Sequence, residues 1–474
     1  MNKKGTLRLS RNTYLLSIKL SLSVVAVALV SGCSQFQPLQ RPDLALPAAW
    51  PTAPAQPADA LSSPMAWDAV VADPALKALV TQALANNRDA RVAALQVAQL
   101  RAQAQVRDAA RWPTVSAGVT GSRQTTGENA PITSNLTGGV QIMAWEMDFF
   151  GRLQSLREAA LAQYLSAEQT QQSTQLSLVA GVATAWLNLH TTEALLALTQ
   201  QTLDSRQQAL RLTGLRHDNG VASALELRQA ESLVASAQVA LAQQQRQRAL
   251  DRNALALLVG QPVDQPLTDA ELRPAGDPAQ ALAEVAVGVP SSVLLSRPDV
   301  RAAEQQLAAA NANVGSARAA FFPRVSLTAS LGSASSELSG LFKGGTWGWA
   351  LAPQALLPIF DGGANQANLA AAQAARDVAL AHYEKAIQTA FKEVNDALVS
   401  RASLAEQLRA QSALVAAESE RLRLSELRLR QGVSSQLEVL DAQRSLFAAQ
   451  QALLQVQTAQ VLNRVAVFKA TAGF

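Results

Sequence analysis

Apolar positions along the chain change period several times, and the changes occur in the same order twice. From Asp73 the pattern is helical, DPALKALVTQALANNRDARVAALQVAQLRAQAQVRDAARW, with Pro74 at a first-turn position, and it stops at Pro113. Residues 114–123 then alternate, with Val115, Ala117 and Val119 on one face, the period of a half-exposed strand. A polar, turn-rich loop, GENAPITSN, leads to a second strand at 136–150 in which Trp145, Met147 and Phe149 share a face. The second pass begins with a helix from about Pro298 to Phe322-Pro323 and continues with alternating Val325, Leu327, Ala329 and Leu331. It crosses a Gly- and Ser-rich loop and resumes at 346–360, with Trp347, Trp349 and Leu351 on one face.

After each strand pair comes a long helical pattern, residues 152–219 and 364–431. Roughly 68 residues at 1.5 Å each make about 100 Å of helix. Leu196, Leu203 and Leu210 recur every seventh residue, as do Leu408, Val415, Leu422 and Leu429. A strict seven-residue period keeps one seam against a neighbouring helix, so these helices pack laterally as coiled coils do. Each reaches a glycine, Gly220 or Gly432, and a new helical pattern starts at once, 223–258 and 435–470. Glycine supplies the left-handed backbone that ends a helix, and Ser223 and Ser435 are N-cap candidates for the return.

The two passes are copies. Residues 211–241 align without a gap to 423–453, with 14 of 31 positions identical, and the offset drifts only from 210 to 212 along the rest. Such a period is far longer than that of a short solenoid repeat and defines two similar structural halves. The expected organisation is a leader at 1–32, an extended Pro-rich strap at 33–72, a first repeat at 73–260, a linker at 261–297 and a second repeat at 298–474. Each repeat holds a helix, a strand hairpin, a long helix and a return helix.

The first 32 residues have the form of a secretory signal: Lys3, Lys4, Arg8, Arg11 and Lys19 precede an apolar run that is too short to span a bilayer. The run ends in Val30-Ser31-Gly32-Cys33, which resembles the bacterial lipobox, where the signal is cut before a cysteine that is then acylated. Cys33 is the only cysteine, and Ser34 after it is the non-Asp residue that permits sorting to the outer membrane. Diacylglycerol and an N-acyl chain such as palmitate on Cys33 would anchor the chain, since each buried methylene contributes about 0.8 kcal/mol. Cleavage also removes five of the 40 Lys and Arg and none of the 36 Asp and Glu. The remaining balance is 35 to 36, and no basic patch marks a nucleic-acid partner.

Charged residues are only 16% of the chain, and no segment after the leader has about 18 uninterrupted apolar residues. If the protein spans a membrane, it does so with strands. His190, His217 and His382 have no partner at metal-ligand spacing, and no phosphate loop, dinucleotide fingerprint or nucleophile elbow is present. The chain offers no positive sign of an enzyme, a metal site or a dissociable cofactor.

Strands of about ten residues with aromatic ends suit a tilted transmembrane barrel. Four strands cannot close one, and hydrocarbon does not tolerate open edges, so several chains must share a sheet; three chains would supply twelve strands. At this point the residues resemble a known family. ALANNRDARVAAL at 83–95, AWEMDFFGRLQSLREAALAQY at 144–164, LRHDNGVASALELRQAE at 215–231, SRPDVRAAEQQLAAANANVGSARAAFFPRVSLTASLG at 296–332 and LPIFDGGANQANL at 357–369 are similar to TolC-like outer-membrane efflux proteins. Within that family they resemble the OprM/NodT-like lipoprotein branch.

The resemblance implies a mainly α fold with a membrane β part: a homotrimer whose twelve-stranded β-barrel continues as a twelve-helix periplasmic α-barrel. It implies an exit duct in the bacterial outer membrane, docked by a periplasmic adaptor and driven by an inner-membrane transporter of the RND type. The hairpin tips that meet the adaptor fall at Gly220, Val221, Ala222 and Ser223, and at Gly432, Val433, Ser434 and Ser435. LEVLDAQR places the periplasmic gate at Leu437 and Asp441, spaced so that both share a helix face. The first copy has Leu225 and Gln229 there, so the acidic position occurs once per chain. Trp145, Phe149, Trp347 and Trp349 are the expected membrane-interface aromatics. Two other readings remain open from sequence: the exit channel of a type I protein secretion system, and a non-conducting lipid-anchored periplasmic coiled-coil adaptor.

Overall fold

The computed structural model describes residues 67–125, 127, 131–261, 267–272, 277, 280–283, 291–341 and 343–472. The leader, Cys33 and the strap up to residue 66 lie outside the described residues. Helices α1 (Trp67–Val70), α2 (Pro74–Asn86) and α3 (Arg88–Ala109) precede strands β1 (Val115–Gln124) and β2 (Thr133–Met147). Helices α4 (Arg152–Asp218), α5 (Ala224–Val259), α6 (Asp269–Leu272) and α7 (Pro298–Ala319) follow. The second hairpin is β3 (Arg324–Ser335) and β4 (Trp347–Leu356), and α8 (Ala364–Arg430) and α9 (Gln436–Ala470) complete the chain. Among the described residues no helix is long and apolar enough to cross a membrane.

The chain divides into two compact units. The first, comprising residues 98–166 and 303–382 among those described, holds one antiparallel sheet in the order β1-β2-β3-β4. The pairs Ala117↔Val140, Val140↔Leu331 and Leu331↔Trp349 run across all four strands on one face, so the alternating apolar positions collect there. The other face carries Ser116, Thr120, Thr137, Gln141, Ser326, Thr328 and Ser330, with the charged Glu146 and Arg324 at its helix-proximal end; the Thr120 and Thr137 hydroxyls hydrogen-bond across strands at 2.6 Å.

Between Ile142 and Trp145 the β2–β3 register shifts by one residue, and Ala144 takes up the strain at φ 47°. The bulge places Trp145 opposite Leu327 and Met147 opposite Val325, which keeps both on the apolar face beyond the irregularity. Every residue of β1 and β4 is exposed, and neither outer edge has a partner strand among the described residues.

The second unit comprises residues 67–97, 167–302 and 383–474 among those described. Its core joins Leu76, Leu79 and Val80 of α2 to Val182, Trp186 and Leu189 of α4, Leu255 and Val259 of α5, and Val465 and Phe468 of α9. His190 lies edge-on to Trp186 with ring centroids 4.2 Å apart, and burial pushes its pKa down, so it packs as a neutral ring.

Two local readings of the sequence are corrected here. The strap is not extended to residue 72, because α1 forms at 67–70 and Val71 bridges Leu282. The helix read as continuous from Asp73 breaks at Asn87, whose backbone is extended (φ −62°, ψ 135°). Asn87 compensates for the break: its Oδ1 accepts from the Asp89 and Ala90 amides as the cap of α3, and its Nδ2 donates to Leu258 O at 2.9 Å. Gly260, at φ 74°, closes α5 against this corner, where a Cβ would lie 2.6 Å from Asn86 O. The linker contains α6 and a 3₁₀ turn at Ser291–Ser296.

Arg297 ties the start of α7 to the end of α9. The side chain is 5% exposed and donates to Ala470 O at 2.7 Å, to Asp299 at 3.0 and 2.7 Å, and to Glu393 at 2.7 Å. Burial opposes ionisation of Asp299, but the Arg297 hydrogen bonds and charge outweigh it and hold the carboxyl below its ordinary value. Arg297→Met should lower stability by about 3 kcal/mol, the low end for breaking a buried pair, because both carboxylates keep access to water. A denaturant titration of the solubilised protein measures this. A carboxyl with a depressed folded-state pKa contributes stability above its unfolded value and loses it as pH falls. The gap between wild type and Asp299→Asn should therefore be full at neutral pH and close below about pH 4.

Candidate functional site

The two hairpin tips are built alike from the sequence outward. In the first, the Gly220 amide donates to His217 O at 2.9 Å and the Val221 amide to Arg216 O at 2.8 Å; in the second, Gly432 donates to Leu429 O and Val433 to Arg428 O, both at 3.0 Å. This paired closure needs a left-handed residue, and Gly220 (φ 68°) and Gly432 (φ 74°) provide it. Val221 and Val433 then project outward, each 66% exposed, so every tip presents one apolar side chain to water.

The returns differ. Ser223 forms a full capping box: its Oγ accepts from the Glu226 amide at 3.2 Å while the Ser223 amide donates to Glu226 Oε2 at 2.8 Å. Ser435, expected to act likewise, makes no side-chain cap bond. Its neighbour Ser434 instead donates to Glu438 Oε2 at 2.6 Å, and Arg428 approaches the same carboxylate at 3.6 Å. The glutamate at the third helical position is thus turned away from the cap, and α9 begins with less satisfied amides than α5.

One turn further on, Leu437 is exposed while Val439 and Leu440 are buried, so Leu437 and Asp441 share the face turned away from the local core. Asp441 is not a bare carboxylate. Arg421 Nη2 donates to it at 2.6 Å from α8, and Arg444 Nη2 at 2.5 Å from the next turn of α9. The Arg421 hydrogen bond is the main reason its pKa lies below the ordinary carboxylate range, with Arg444 adding to it. Arg421 also reaches Glu418 at 3.1 Å. Asp441 is therefore part of a linked ion network that joins the outgoing and returning helices of the second hairpin.

Sequence reasoning found Asp441 and missed both arginines. The signal was present in the duplication: at the offset of 212, Arg421, Asp441 and Arg444 stand against Ala209, Gln229 and Ser232. All three departures from the repeat fall in one cluster.

The expected interface aromatics lie toward opposite ends of the sheet. Trp347 pairs with Ser333 and Trp145 with Leu327, six residues apart on β3, which is about 20 Å along a strand. Trp347 and Trp349 are 68% and 77% exposed and Phe149 is 55% exposed, so they are not core residues of this chain. Trp145 Nε1 donates to Arg111 O at 3.0 Å. Nearby, Glu146 is held by Arg152 at 2.8 and 2.7 Å and by Arg324 at 2.7 Å, and Phe150 stacks on Phe322 at 4.9 Å. These contacts lock the junction of strand and helix on both sides of the β2–β3 seam.

A sheet with one apolar and one polar face and aromatic residues toward both ends of the apolar face, in a chain that also carries two long helical hairpins, defines a membrane channel protein. Residues 79–261 and 289–473 match the model of the family described as "Outer membrane efflux protein", one match in each repeat. The chain belongs to this family and is an outer-membrane protein. It is 44% identical over 465 residues to the toluene efflux pump outer membrane protein TtgC of Pseudomonas putida, covering 96% of this chain and 95% of that one. To the outer membrane protein OprJ of Pseudomonas aeruginosa it is 39% identical, covering 95% of each. The open state of the Neisseria gonorrhoeae MtrE outer membrane channel superposes with a TM-score of 0.83 at 35% identity, covering 93% of this chain and 98% of that one.

The two caps make an asymmetric prediction. Ser223→Ala should destabilise the start of α5 by about 1 kcal/mol, whereas Ser435→Ala should change α9 by a few tenths. Amide hydrogen exchange at residues 225–227 and 437–439 reads the two effects separately.

Proposed function

We propose that the protein is the outer-membrane exit channel of a tripartite efflux pump, a passive duct through which an inner-membrane transporter expels solutes. The observation that carries this reading is the four-stranded sheet whose two outer edges have no partner strand among the described residues and whose apolar face leaves Val115, Val119, Leu331, Trp349 and Leu351 exposed. In hydrocarbon each unpaired backbone group costs several kcal/mol, so the sheet is stable there only when other copies complete it. Three copies close a barrel of twelve strands, and their α4, α5, α8 and α9 helices supply the twelve staves of an α-barrel.

The polar sheet face then lines the lumen with hydroxyls, glycines and amides. Such a wall discriminates little among solutes, so choice of cargo belongs to the transporter upstream, for which the RND type is the reading adopted here. The tips at Gly220–Ser223 and Gly432–Ser435 dock the periplasmic adaptor, with Val221 and Val433 as their apolar contacts. The face of Leu437 and Asp441 forms the periplasmic gate. Acyl chains on Cys33 anchor the N-terminus; the lipobox supports this.

Opening requires the Arg421–Asp441–Arg444 network to part and Leu437 to withdraw, a shift between two packed arrangements. Leu437→Ala with Asp441→Ala should raise conductance several-fold in planar bilayers while heat-modifiable trimers persist in detergent; unchanged currents would remove the gate assignment. Radiolabelled palmitate should be incorporated into the wild type and absent from Cys33→Ala.

A further inference from the structure

The heptad seam of α4 contains a charge. Arg206 lies between Leu203 and Leu210, three residues after a seam leucine, and is 4% exposed. Its Nη1 donates to Leu233 O of α5 at 3.0 Å, its guanidinium carbon sits 5.3 Å from the ring centroid of Phe447 on α9, and its Nε has no hydrogen-bond partner. Among the described residues no carboxylate pairs with it. A buried guanidinium without a counter-ion is costly, and a charge at a seam position is a known means of fixing which helices pack together and in which register. At the offset of 212 its counterpart is Glu418, which is bound into the gate network through Arg421, and the counterpart of Phe447 is Ala235. The two copies thus hold opposite charges at one seam position, and only the first finds an aromatic ring across the seam.

Phe447 lies six residues beyond Asp441 on the same return helix. Arg421 holds that helix to α8, within the second hairpin; Arg206 holds it to α4 and α5, the first hairpin. We infer that Arg206 is a second latch on the periplasmic end, a positioning residue whose cation–π contact with Phe447 fastens the second hairpin to the first and favours the closed arrangement. This rests on the channel reading above. Opening by movement of α9 away from α4 must break a contact made in a desolvated seam, where such contacts are at their strongest. The network at Asp441 and the contact at Phe447 then act in series along one helix, the first on its outer face and the second on its buried face.

The test uses the full-length trimer in planar bilayers, with Leu437→Ala/Asp441→Ala as the opened reference. Arg206→Met, which keeps the stem and removes the charge, should raise time-averaged conductance roughly tenfold over the wild type, and Phe447→Leu should do the same. The double variant should add little beyond either single change, because both remove one contact. Mono-, di- and trifluorophenylalanine at position 447 keep the ring's shape while draining its face of electron density. Conductance should rise stepwise along that series, which packing alone would not produce, and the series decides the matter if Arg206→Met fails to assemble. Trimers carrying trifluorophenylalanine that stay as closed as the wild type, while the opened reference conducts, would overturn the latch and leave the channel standing. Assembled trimers that carry no current in the opened reference, in Arg206→Met and in the fluorinated series alike would overturn the channel reading and the latch with it.

Discussion

Backbone hydrogen bonding at the edges of a four-stranded sheet is the constraint from which the rest of this protein follows. A strand in a bilayer has no water to satisfy its amides and carbonyls, and among the described residues β1 and β4 each leave one side without a partner strand. Closure by other copies resolves that, and it dictates a ring of repeated units. An internal duplication suits such a ring, since two similar halves per chain offer similar seams within a chain and between chains. The Phe150–Phe322 stack and the Glu146 clamp show what a seam within the chain requires: a locked corner where strand gives way to helix.

Much of this was legible in the residues because the signals were periodic and stated twice. Alternation at Val115–Ala117–Val119 and Val325–Leu327–Ala329, seven-residue spacing in α4 and α8, and glycine at both tips each named an element, and the matching copy removed chance as an explanation. What escaped was decided by single side chains acting on their own backbone. Asn87 breaks a helix whose apolar pattern runs on unbroken, because its amide caps one helix and braces another segment more than 170 residues away. Ser435 has the right type and place for a cap, yet Ser434 draws Glu438 off and the box fails to form. The bulge at Ala144 is likewise invisible to a two-residue period, which only loses phase there.

The candidate gate teaches a related lesson about where duplicated sequences diverge. Structural demands common to both halves keep the seam leucines and the left-handed glycines of the tips in step. Arg421, Asp441 and Arg444 have neutral counterparts, and the counterparts of Arg206 and Phe447 are Glu418 and Ala235. Charge was thus introduced at positions that the scaffold does not need to be charged. A repeat can be read by subtraction: the charges that make the two hairpins unequal lie among the positions where the copies differ.

The order of strands in the sheet also bears on how the molecule comes into being. Each hairpin, β1–β2 and β3–β4, joins neighbours in sequence and can form quickly, but the β2–β3 seam unites Met147 with Val325 across the whole first helical hairpin and the linker. Contacts so distant in sequence form slowly, since the intervening loop must be closed before the pairing compensates for it. By sequence separation, then, the β2–β3 seam is the slow step of the sheet and the two local hairpins are the fast ones.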